Sequence, residues 1–439
     1  MSSLKKILIV LFCVVLLAAG WAAAIFSKTD TDRQRELISA AQAYLEDEIY
    51  IKAAPLLEEA AGYQAGLTLE AEELLKQAYI PLLEQRGYPR KYTNLLEQQM
   101  GRQDAAPEVF LEAAKYYLGR LKEQEAFAAL RHGIEKTGSQ ELTDFYEANR
   151  YVYRVGRGAY QEAADFLNGY IQVRQEGLWG LAQPDGSLVL PCEYDFLSTY
   201  DGGEVIAQRD GVLSGIDLNG NRLALYKGEP VTGVTNYSEG RLAVKQSQGW
   251  VLALDTLETG SAVLEEIGTF SDGGAAACQN GKWGVVKRSG REWWVEPAYD
   301  GIVCDGLGRC WRDGAVFVRQ GDQVLLLVDG EQIAGPFEDA RPFAGGWAAV
   351  KQDGFWGFID REGTVRIDFQ FDDAKSFTMH LAAVQKGQNW GYVGLNGTMV
   401  IEPSFLEAKA FEKGSAPVRT ADGWQFITLL EYEPGQSGI

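Results

Sequence analysis

The dipeptide Trp-Gly, repeated at a nearly constant spacing, is the feature that most restricts what this chain can fold into. Intact copies begin at Trp179, Trp283, Trp356 and Trp390, and a partial copy begins at Trp424. Degenerate copies lie at Leu213-Ser214, at Val251-Leu252 and near Val324. The 245 residues from Trp179 to Trp424 make seven intervals that average 35 residues. A fixed period of this size indicates stacked copies of one supersecondary unit.

Each copy has the same internal order, which the copy around Trp356 illustrates. It predicts a strand at Phe355–Ile359, a tight turn that ends in Gly363, a strand at Thr364–Ile367 and a closing strand at Leu381–Val384. Short strands joined by glycine-containing turns are typical of antiparallel sheets. We expect the Trp to lie between adjacent sheets, and the Gly after it to let a neighbouring backbone approach closely.

This pattern resembles the WG-repeat family, also called KWG repeats, which is mostly bacterial. The resemblance covers residues 175–430, and it implies a repeat architecture but no reaction and no cofactor. Three to four strands in each of seven 35-residue units predict a seven-bladed β-propeller. An open solenoid of β-hairpins uses the same strand order and is the alternative.

The N-terminus predicts a membrane segment. Residues Ile7–Phe26 carry no charge, and 20 residues at about 1.5 Å each span the hydrocarbon core of a bilayer. Lys5 and Lys6 precede this run, which predicts a cytoplasmic N-terminus and an extracytoplasmic remainder in the cell envelope. The alternative is a signal peptide cleaved after Ala22-Ala23-Ala24, which would give a secreted protein.

Residues between Arg33 and Val173 show helical spacing of apolar side chains. We expect helical hairpins at Ala40–Ala60, Phe110–Lys136 and Tyr151–Val173. The last two resemble tetratricopeptide helix pairs, through Ala114, Tyr117, Ala126, Leu130 and Gly133 and through Tyr160, Ala163 and Leu167. Two roles stay open, a helical spacer and a peptide-binding groove.

Charge and composition exclude several classes of protein. The net charge is −20, from 41 basic and 61 acidic residues, and so negative a surface disfavours nucleic acid as a partner. The chain has only two histidines, His132 and His380, and neither is expected to be catalytic. Asp360, Glu362, Asp372 and Asp373 do not have the spacing of a calcium-binding loop. We therefore predict no metal, no cofactor and no named catalytic residue.

The cysteines after the N-terminus are Cys192, Cys278, Cys304 and Cys310, whose spacing is not that of a disulfide framework. They are expected to be mainly buried thiols, although Cys304 and Cys310 flank a glycine-rich loop across which they could pair.

Together these features predict a multidomain α plus all-β chain with no enzymatic activity. The expected domains are an anchor (1–30), a helical region (31–173), a β-repeat domain (174–431) and a disordered tail (432–439). The expected function is a membrane-anchored, extracytoplasmic binding or scaffold protein with a protein or an envelope polysaccharide as its partner. A glycan binder is the first alternative and a carboxylate-based hydrolase the second. The speculative ligand-facing residues, chosen because they lie outside the repeat pattern, are Trp293, Trp294, Trp311 and Trp347.

Overall fold

A computed structural model describes residues 29–431 apart from 64–65, 157, 255–256 and 258. The chain divides into two compact units, Met1–Ala148 and Asn149–Ile439. The apolar segment Ile7–Phe26 and the tail 432–439 lie outside the described residues. Among the residues that are described, no helix has both the length and the apolar character needed to cross a membrane.

The first unit is helical. Its helices are α1 (29–46), α2 (Tyr50–Gly62), α3 (Thr68–Tyr79), α4 (Tyr88–Met100), α5 (Pro107–Gly119), α6 (Glu123–Thr137) and α7 (Gln140–Asn149), with a short 3₁₀ turn at Ile80–Leu82. The predicted helical hairpins at Ala40–Ala60 and Phe110–Lys136 correspond to α1–α2 and α5–α6. Helices α5 and α6 cross closely because Gly133 has no side chain; a Cβ there would lie 2.7 Å from the Cβ of Phe110.

The prediction of a third helical hairpin at Tyr151–Val173 is wrong, because this segment forms strands. Tyr153–Val155 and Ile171–Gln175 pair in sheets, where β-branched and aromatic side chains pack well. Gly158 and Gly169 have φ angles of 82° and 84°, which a continuous helix does not allow.

The second unit consists of eight four-stranded antiparallel sheets, which we number as blades in chain order. Blade 1 contains β2 (Glu162–Ala163), β3 (Ile171–Gln175), β4 (Leu178–Ala182) and β5 (Leu188–Tyr194). Blade 2 contains β6 (Phe196–Leu197), β7 (Val205–Arg209), β8 (Val212–Ile216) and β9 (Arg222–Leu225). Blade 3 contains β10 (Gly233–Val234), β11 (Arg241–Gln246), β12 (Gly249–Leu254) and β13 (Thr259–Leu264). Blade 4 contains β14 (Glu266–Ile267), β15 (Gly274–Gln279), β16 (Lys282–Lys287) and β17 (Trp293–Tyr299).

The remaining blades repeat this order. Blade 5 contains β18 (Gly301–Ile302), β19 (Ala315–Gln320), β20 (Gln323–Val328) and β21 (Glu331–Phe337). Blade 6 contains β22 (Asp339–Ala340), β23 (Ala348–Gln352), β24 (Phe355–Ile359) and β25 (Val365–Phe371). Blade 7 contains β26 (Asp373–Ala374), β27 (Leu381–Lys386), β28 (Asn389–Gly394) and β29 (Met399–Phe405). Blade 8 contains β30 (Glu407–Ala408), β31 (Ser415–Thr420), β32 (Gly423–Leu429) and β1 (Tyr153–Val155).

The ring is closed by β1, which precedes the repeats in sequence but completes the last blade. Val155 pairs with Ile427, and Tyr153 pairs with Leu429. An apolar cluster then joins blade 8 to blade 1 through Trp424 and Phe426. Similar clusters fill each of the other seven interfaces between neighbouring blades. The fold is therefore a closed propeller and not an open solenoid.

The propeller has eight blades, so the prediction of seven is wrong. Each of the eight Trp-Gly or degenerate positions lies on the third strand of a different blade. The prediction of seven blades came from the seven intervals between these eight positions. The last copy lacked an obvious fourth strand, because β1 supplies it from 250 residues or more upstream in the chain. In blade 3 the residue at the Trp position is Trp250, which pairs with Leu264, and not Val251.

The role expected for Trp-Gly is confirmed in the intact blades. Trp356 and Trp390 lie in the apolar clusters between neighbouring blades. The fourth strand carries a bulge where it crosses the Gly, between the Trp356 and Phe358 pairs of blade 6 for example. A Cβ on Gly357 would lie 2.8 Å from the Ile367 carbonyl oxygen, so only glycine fits under this bulge.

Candidate functional site: a plugged channel and an open cleft

Contacts between blades that are not neighbours locate the central axis, because only residues near the axis can reach across a ring. The Asn236 side chain of blade 3 donates from Nδ2 to the Leu307 carbonyl of blade 5, at 3.2 Å. Its Oδ1 accepts a hydrogen bond from Nε2 of Gln172 in blade 1, at 2.9 Å. The segments that follow the first strand of each blade therefore surround the channel.

A hairpin from blade 5 extends across this channel; we call residues 303–314 the plug hairpin. Twelve residues separate β18 from β19, whereas six separate β26 from β27 in blade 7. Besides Asn236, the plug hairpin contacts blade 4, where the Thr269 hydroxyl donates to the Leu307 carbonyl at 2.7 Å. Gly306 of the plug hairpin also lies close to Asp165 of blade 1. A Cβ added to Gly306 would be only 2.6 Å from Asp165 Oδ2.

Three consecutive blades place a basic side chain at the same position beside the channel: Arg341, Lys375 and Lys409, which we call the basic ladder. Each cation lies over the repeat Trp of its own blade, at 4.2 Å from the Trp356 ring, 5.3 Å from the Trp390 ring and 5.2 Å from the Trp424 ring. Such contacts stabilise both the cation and the orientation of the ring.

Acidic side chains compensate most of this charge. Arg341 donates to Asp339 of its own blade and to Asp373 of blade 7, both at 3.1 Å. Lys409 lies 3.7 Å from Asp165. Burial alone would raise the pKa of Asp339, but hydrogen bonds from Arg319 and the Ala340 amide hold that pKa below its usual value.

Two groups near the channel titrate abnormally because they are buried. Burial lowers the pKa of the Lys375 ammonium, although Asp373 opposes this shift, and Lys375 has no ion pair with any residue in the described part of the chain. Burial raises the pKa of Glu412, whose carboxylate accepts the Gly169 amide hydrogen at 2.7 Å. The channel is therefore a desolvated, mixed-charge environment.

An open cleft of about 560 Å³ lies between blades 1 and 2, a volume typical of binding pockets. We call it the blade 1–2 cleft; it lies between β5 and the face of β7, β8 and β9. Blade 2 has Leu213-Ser214 where intact blades have Trp-Gly, and its fourth strand has four residues, not seven. Leu213 packs in the apolar cluster between blades 2 and 3, whereas Ser214 and the start of the short fourth strand border the cleft. Its polar lining includes Arg209, Glu193 and Arg222.

The four tryptophans singled out by the sequence lie in different surroundings. Trp294 is 49% exposed, whereas Trp311 is 6% exposed. These two rings stack at 6.0 Å, and Lys287 Nζ lies 4.4 Å from the Trp294 ring. Trp293 and Trp347 are half-buried and pack on separate clusters between blades. The structure thus brings Trp294 and Trp311 together and leaves the other two apart.

The other chemistry-bearing residues have structural partners. His132 packs edge-on against Phe110 at 5.3 Å. Asp360 accepts hydrogen bonds from the Thr364 amide and from Arg366, and Asp372 accepts one from the Gly387 amide. Within the described residues, no three His, Cys, Asp or Glu side chains are grouped as a metal site would need.

Neither the plug hairpin nor the basic ladder was predicted, although each has a signal in the sequence. The interval between Trp283 and the degenerate copy near Val324 is about 40 residues, longer than the average, because it contains the plug hairpin. Arg341, Lys375 and Lys409 are 34 residues apart, one repeat each, and each follows an acidic residue and an alanine.

Six segments of the chain match the model of a known repeat family. The family described as WG containing repeat matches residues 159–179, 179–211, 261–283, 336–354, 356–390 and 390–424. All six matches lie within the propeller. A search of curated protein sequences found no match.

Solved structures with low similarity were also found. PorZ, a surface component of the type-IX secretion system of Porphyromonas gingivalis, is 10% identical, with a TM-score of 0.34 over 55% of this chain and 38% of PorZ. AztD from Citrobacter koseri is 11% identical, with a TM-score of 0.37 over 54% of this chain and 84% of AztD. YCF48 from Cyanidioschyzon merolae is 13% identical, with a TM-score of 0.34 over 63% of this chain and 98% of YCF48. The chain thus spans well under half of PorZ, and similarities this low carry no conclusion about fold or function.

Proposed function

We propose that this chain, which carries WG-containing repeats, is a binding or scaffold protein that holds an extended segment of a protein partner in the blade 1–2 cleft. The observation that carries this proposal is the cleft itself, which is bordered in blade 2 by Ser214, at the position of the repeat Gly, and by the start of the short strand β9. The plug hairpin supports it indirectly, because it leaves less room at the axis for a ligand. No turnover is part of this proposal.

The chemistry of the cleft indicates what such a segment contains. Arg209 is already paired with Glu193 at 2.7 Å, whereas Arg222 has no ion pair among the described residues. Leu223 and Leu225 are not part of the cleft lining but lie on the adjoining edge strand β9, where they are 57% and 38% exposed. An edge strand offers unpaired backbone groups to an extended peptide. We therefore expect a segment with an acidic side chain beside apolar ones.

A peptide selection with designed variants tests this site. A random-peptide library is selected on the full-length protein, and bound peptides are then measured on Arg222→Glu and Leu223→Asn variants. The control is Ile333→Asn, which removes an equally placed apolar side chain, 44% exposed, from the fourth strand of blade 5. We expect binding to the Arg222→Glu and Leu223→Asn variants to be at least tenfold weaker, which is about 1.4 kcal/mol or more. Binding to the control variant should not change. Selected peptides that bind all four proteins equally would contradict the proposal.

A second candidate is an envelope polysaccharide bound on Trp294. Its support is the exposed Trp294 ring, held in place by Trp311 and by a hydrogen bond of 3.3 Å from its Nε1 to the Gly273 carbonyl. Flat aromatic rings of this kind suit the apolar face of a sugar. Polysaccharide binding that survives both Trp293→Ala and Trp294→Ala would rule out this surface.

We also propose that the propeller lies outside the cytoplasm; the support is the N-terminal sequence pattern, with Lys5 and Lys6 before an uncharged run. The test is a Gln388→Cys variant, which places a thiol on an exposed turn between β27 and β28. A membrane-impermeant thiol reagent added to intact cells should label it. Labelling only after lysis would place the propeller in the cytoplasm.

A further inference from the structure

The tip of the plug hairpin has the same turn as two hairpins of the repeats. In the turn 217–221, the Gly220 amide donates to the Asp217 carbonyl, and the Asp217 amide donates to the Asn221 carbonyl, both at 2.9 Å. In the plug hairpin, the Gly308 amide donates to the Asp305 carbonyl at 3.0 Å, and the Asp305 amide donates to the Arg309 carbonyl at 2.8 Å. The turn 360–364 has the same two bonds.

The Asp side chain completes this turn in the same way. Asp217 Oδ1 accepts the amide hydrogens two and four residues later, both at 2.8 Å. Asp305 Oδ1 accepts the amide hydrogens of Leu307 and Arg309, both at 2.9 Å. Arg309 also donates from Nε to Asp305 Oδ2 at 2.8 Å, which ties the two ends of the turn together.

The residues that flank this turn face each other. In the repeat hairpins they are directly paired, as Ile216 with Arg222 and as Ile359 with Val365. In the plug hairpin the equivalent positions are Cys304 and Cys310. In an antiparallel ladder, the two residues of a non-hydrogen-bonded pair have their Cα atoms about 4.5 Å apart. This distance lies within the range of about 4.4–6.8 Å between the Cα atoms of disulfide-bonded cysteines.

The surroundings of the two thiols agree with this placement. Cys310 is 2% exposed in the apolar cluster between blades 4 and 5, and Cys304 packs half-buried against the same cluster. The pKa of the Cys310 thiol is raised well above its usual value, mainly by a hydrogen bond with Cys304 and in addition by burial. Both thiols therefore lie against one apolar cluster, on the two sides of the same turn.

We propose that Cys304 and Cys310 are a disulfide-forming pair that fastens the plug hairpin when the protein meets an oxidising thiol–disulfide couple. The pair is distinct from the partner cleft, so either proposal can fail without the other. Because the plug hairpin contacts blades 3 and 4, the disulfide would hold Leu307 where Asn236 and Thr269 bind its carbonyl.

The chemistry balances with glutathione disulfide as the oxidant. The thiolate of the more accessible Cys304 attacks one glutathione sulfur, which forms a mixed disulfide and releases one glutathione thiolate. The thiolate of Cys310 then attacks the Cys304 sulfur, which forms the protein disulfide and releases the second glutathione. The pair loses two electrons and two protons, and one glutathione disulfide becomes two glutathione thiols.

Trypsin gives a direct readout, because it cleaves after Arg309 and so separates the two cysteines. Cys304 falls in the peptide 292–309 and Cys310 in the peptide 310–312. The full-length protein carries Cys13→Ser, which removes the one thiol of the N-terminal apolar run, and is equilibrated with glutathione buffers. It is then denatured in the presence of N-ethylmaleimide, which alkylates free thiols, and digested. We expect the two peptides to be joined and two hydrogens lighter in the oxidised sample, and separate after reduction. Cys192 and Cys278 should be alkylated in both samples and are internal controls.

Variants then establish the order of the steps. Cys310→Ser should trap glutathione on Cys304, whereas Cys304→Ser should leave Cys310 unmodified in the folded protein. Hydrogen exchange at the Leu307 and Arg309 amides should be about tenfold faster or more in the reduced protein than in the oxidised one. Free alkylated Cys304 and Cys310 at every glutathione ratio, or linkage of either to Cys192 or Cys278, would overturn the proposal.

Discussion

Leu325 and Gly335 face each other in blade 5 in the reverse of the arrangement found in the intact blades. Intact blades have Gly on the third strand under the bulge of the fourth, whereas blade 5 has Leu325 there and a glycine opposite. A Cβ on Gly335 would lie 3.2 Å from the Leu325 Cα and 2.8 Å from the Val324 carbonyl oxygen. The bulge therefore needs one residue without a side chain, and either strand can supply it.

Gly335→Ala should therefore destabilise the propeller by about 2–4 kcal/mol, from the close contact and from a φ of 105°. Gly330→Ala is the matched control, because its φ is 86° but a Cβ there would have no atom within 4 Å. The control should cost about 1 kcal/mol. Urea denaturation measures both, and equal losses would mean that strain at positive φ, and not the bulge, explains Gly335.

The same reasoning applies to an intact blade. A Cβ on Gly391 would lie 2.8 Å from the Pro403 nitrogen, whereas one on Gly394 meets nothing closer than 3.5 Å. Gly391→Ala should cost about 1–3 kcal/mol of unfolding free energy, and Gly394→Ala no more than about 0.5 kcal/mol. A Gly391→Ala variant as stable as Gly394→Ala would show that the Gly of Trp-Gly is not needed for packing.

Ring closure depends on a backbone hydrogen bond of β1. The Leu430 amide donates to the Val152 carbonyl, and the Gly156 amide donates to the Phe426 carbonyl. Hydrogen-bonded pairs alternate along an antiparallel ladder, so the Arg154 amide faces β32 and the Val155 amide faces away. Arg154→Pro should lower the melting temperature by several degrees, and Val155→Pro should have a smaller effect. A larger loss for Val155→Pro would contradict this register.

Glu412 should make stability depend on pH. Burial raises its pKa in the folded protein above the ordinary 4.5, so the folded state binds the proton more tightly than the unfolded state does. Stability from this group is therefore full below pH 4.5 and falls as the pH rises from there through the raised pKa. Glu412→Gln, which keeps an acceptor for the Gly169 amide, should remove this part of the fall.

The measurement is urea denaturation of both proteins at a series of pH values from about 4 upward. Gly169, Lys413 and Arg309 face the Glu412 carboxylate and are unchanged in the variant. Curves of stability against pH that stay parallel for the two proteins would show that Glu412 titrates alike in both states.

The repeat copies were predictable because Trp-Gly and its glycine turns recur where local geometry demands them. The strand Phe355–Ile359 was located to the residue. The number of blades was not, because β1 joins the ring through contacts with residues more than 250 positions away, which no local pattern encodes. The segment Tyr151–Val173 was misread for a related reason, since its spacing suits a helix but its partners are strands of a ring.

The candidate site was harder to predict than the fold. The cleft is bordered by Ser214, which stands where intact copies have Gly, and by the short strand β9, and the sequence of a degenerate copy does not reveal the space beside it. The ligand-facing tryptophans were chosen for departing from the pattern, but burial depends on the neighbouring blade; Trp311 is covered and Trp294 is not.

The pairing of β1 with β32 has a consequence for how the protein is made. Tyr153–Val155 leaves the ribosome long before Gly423–Leu429, so the first-made strand must wait for the last-made one. At a synthesis rate of about 5–20 residues per second, that delay is of the order of 15–50 seconds. Throughout it the nascent repeats have an open edge at each end. A ribosome that stalls within the last repeat would therefore leave nearly the whole propeller synthesised but exposed to aggregation.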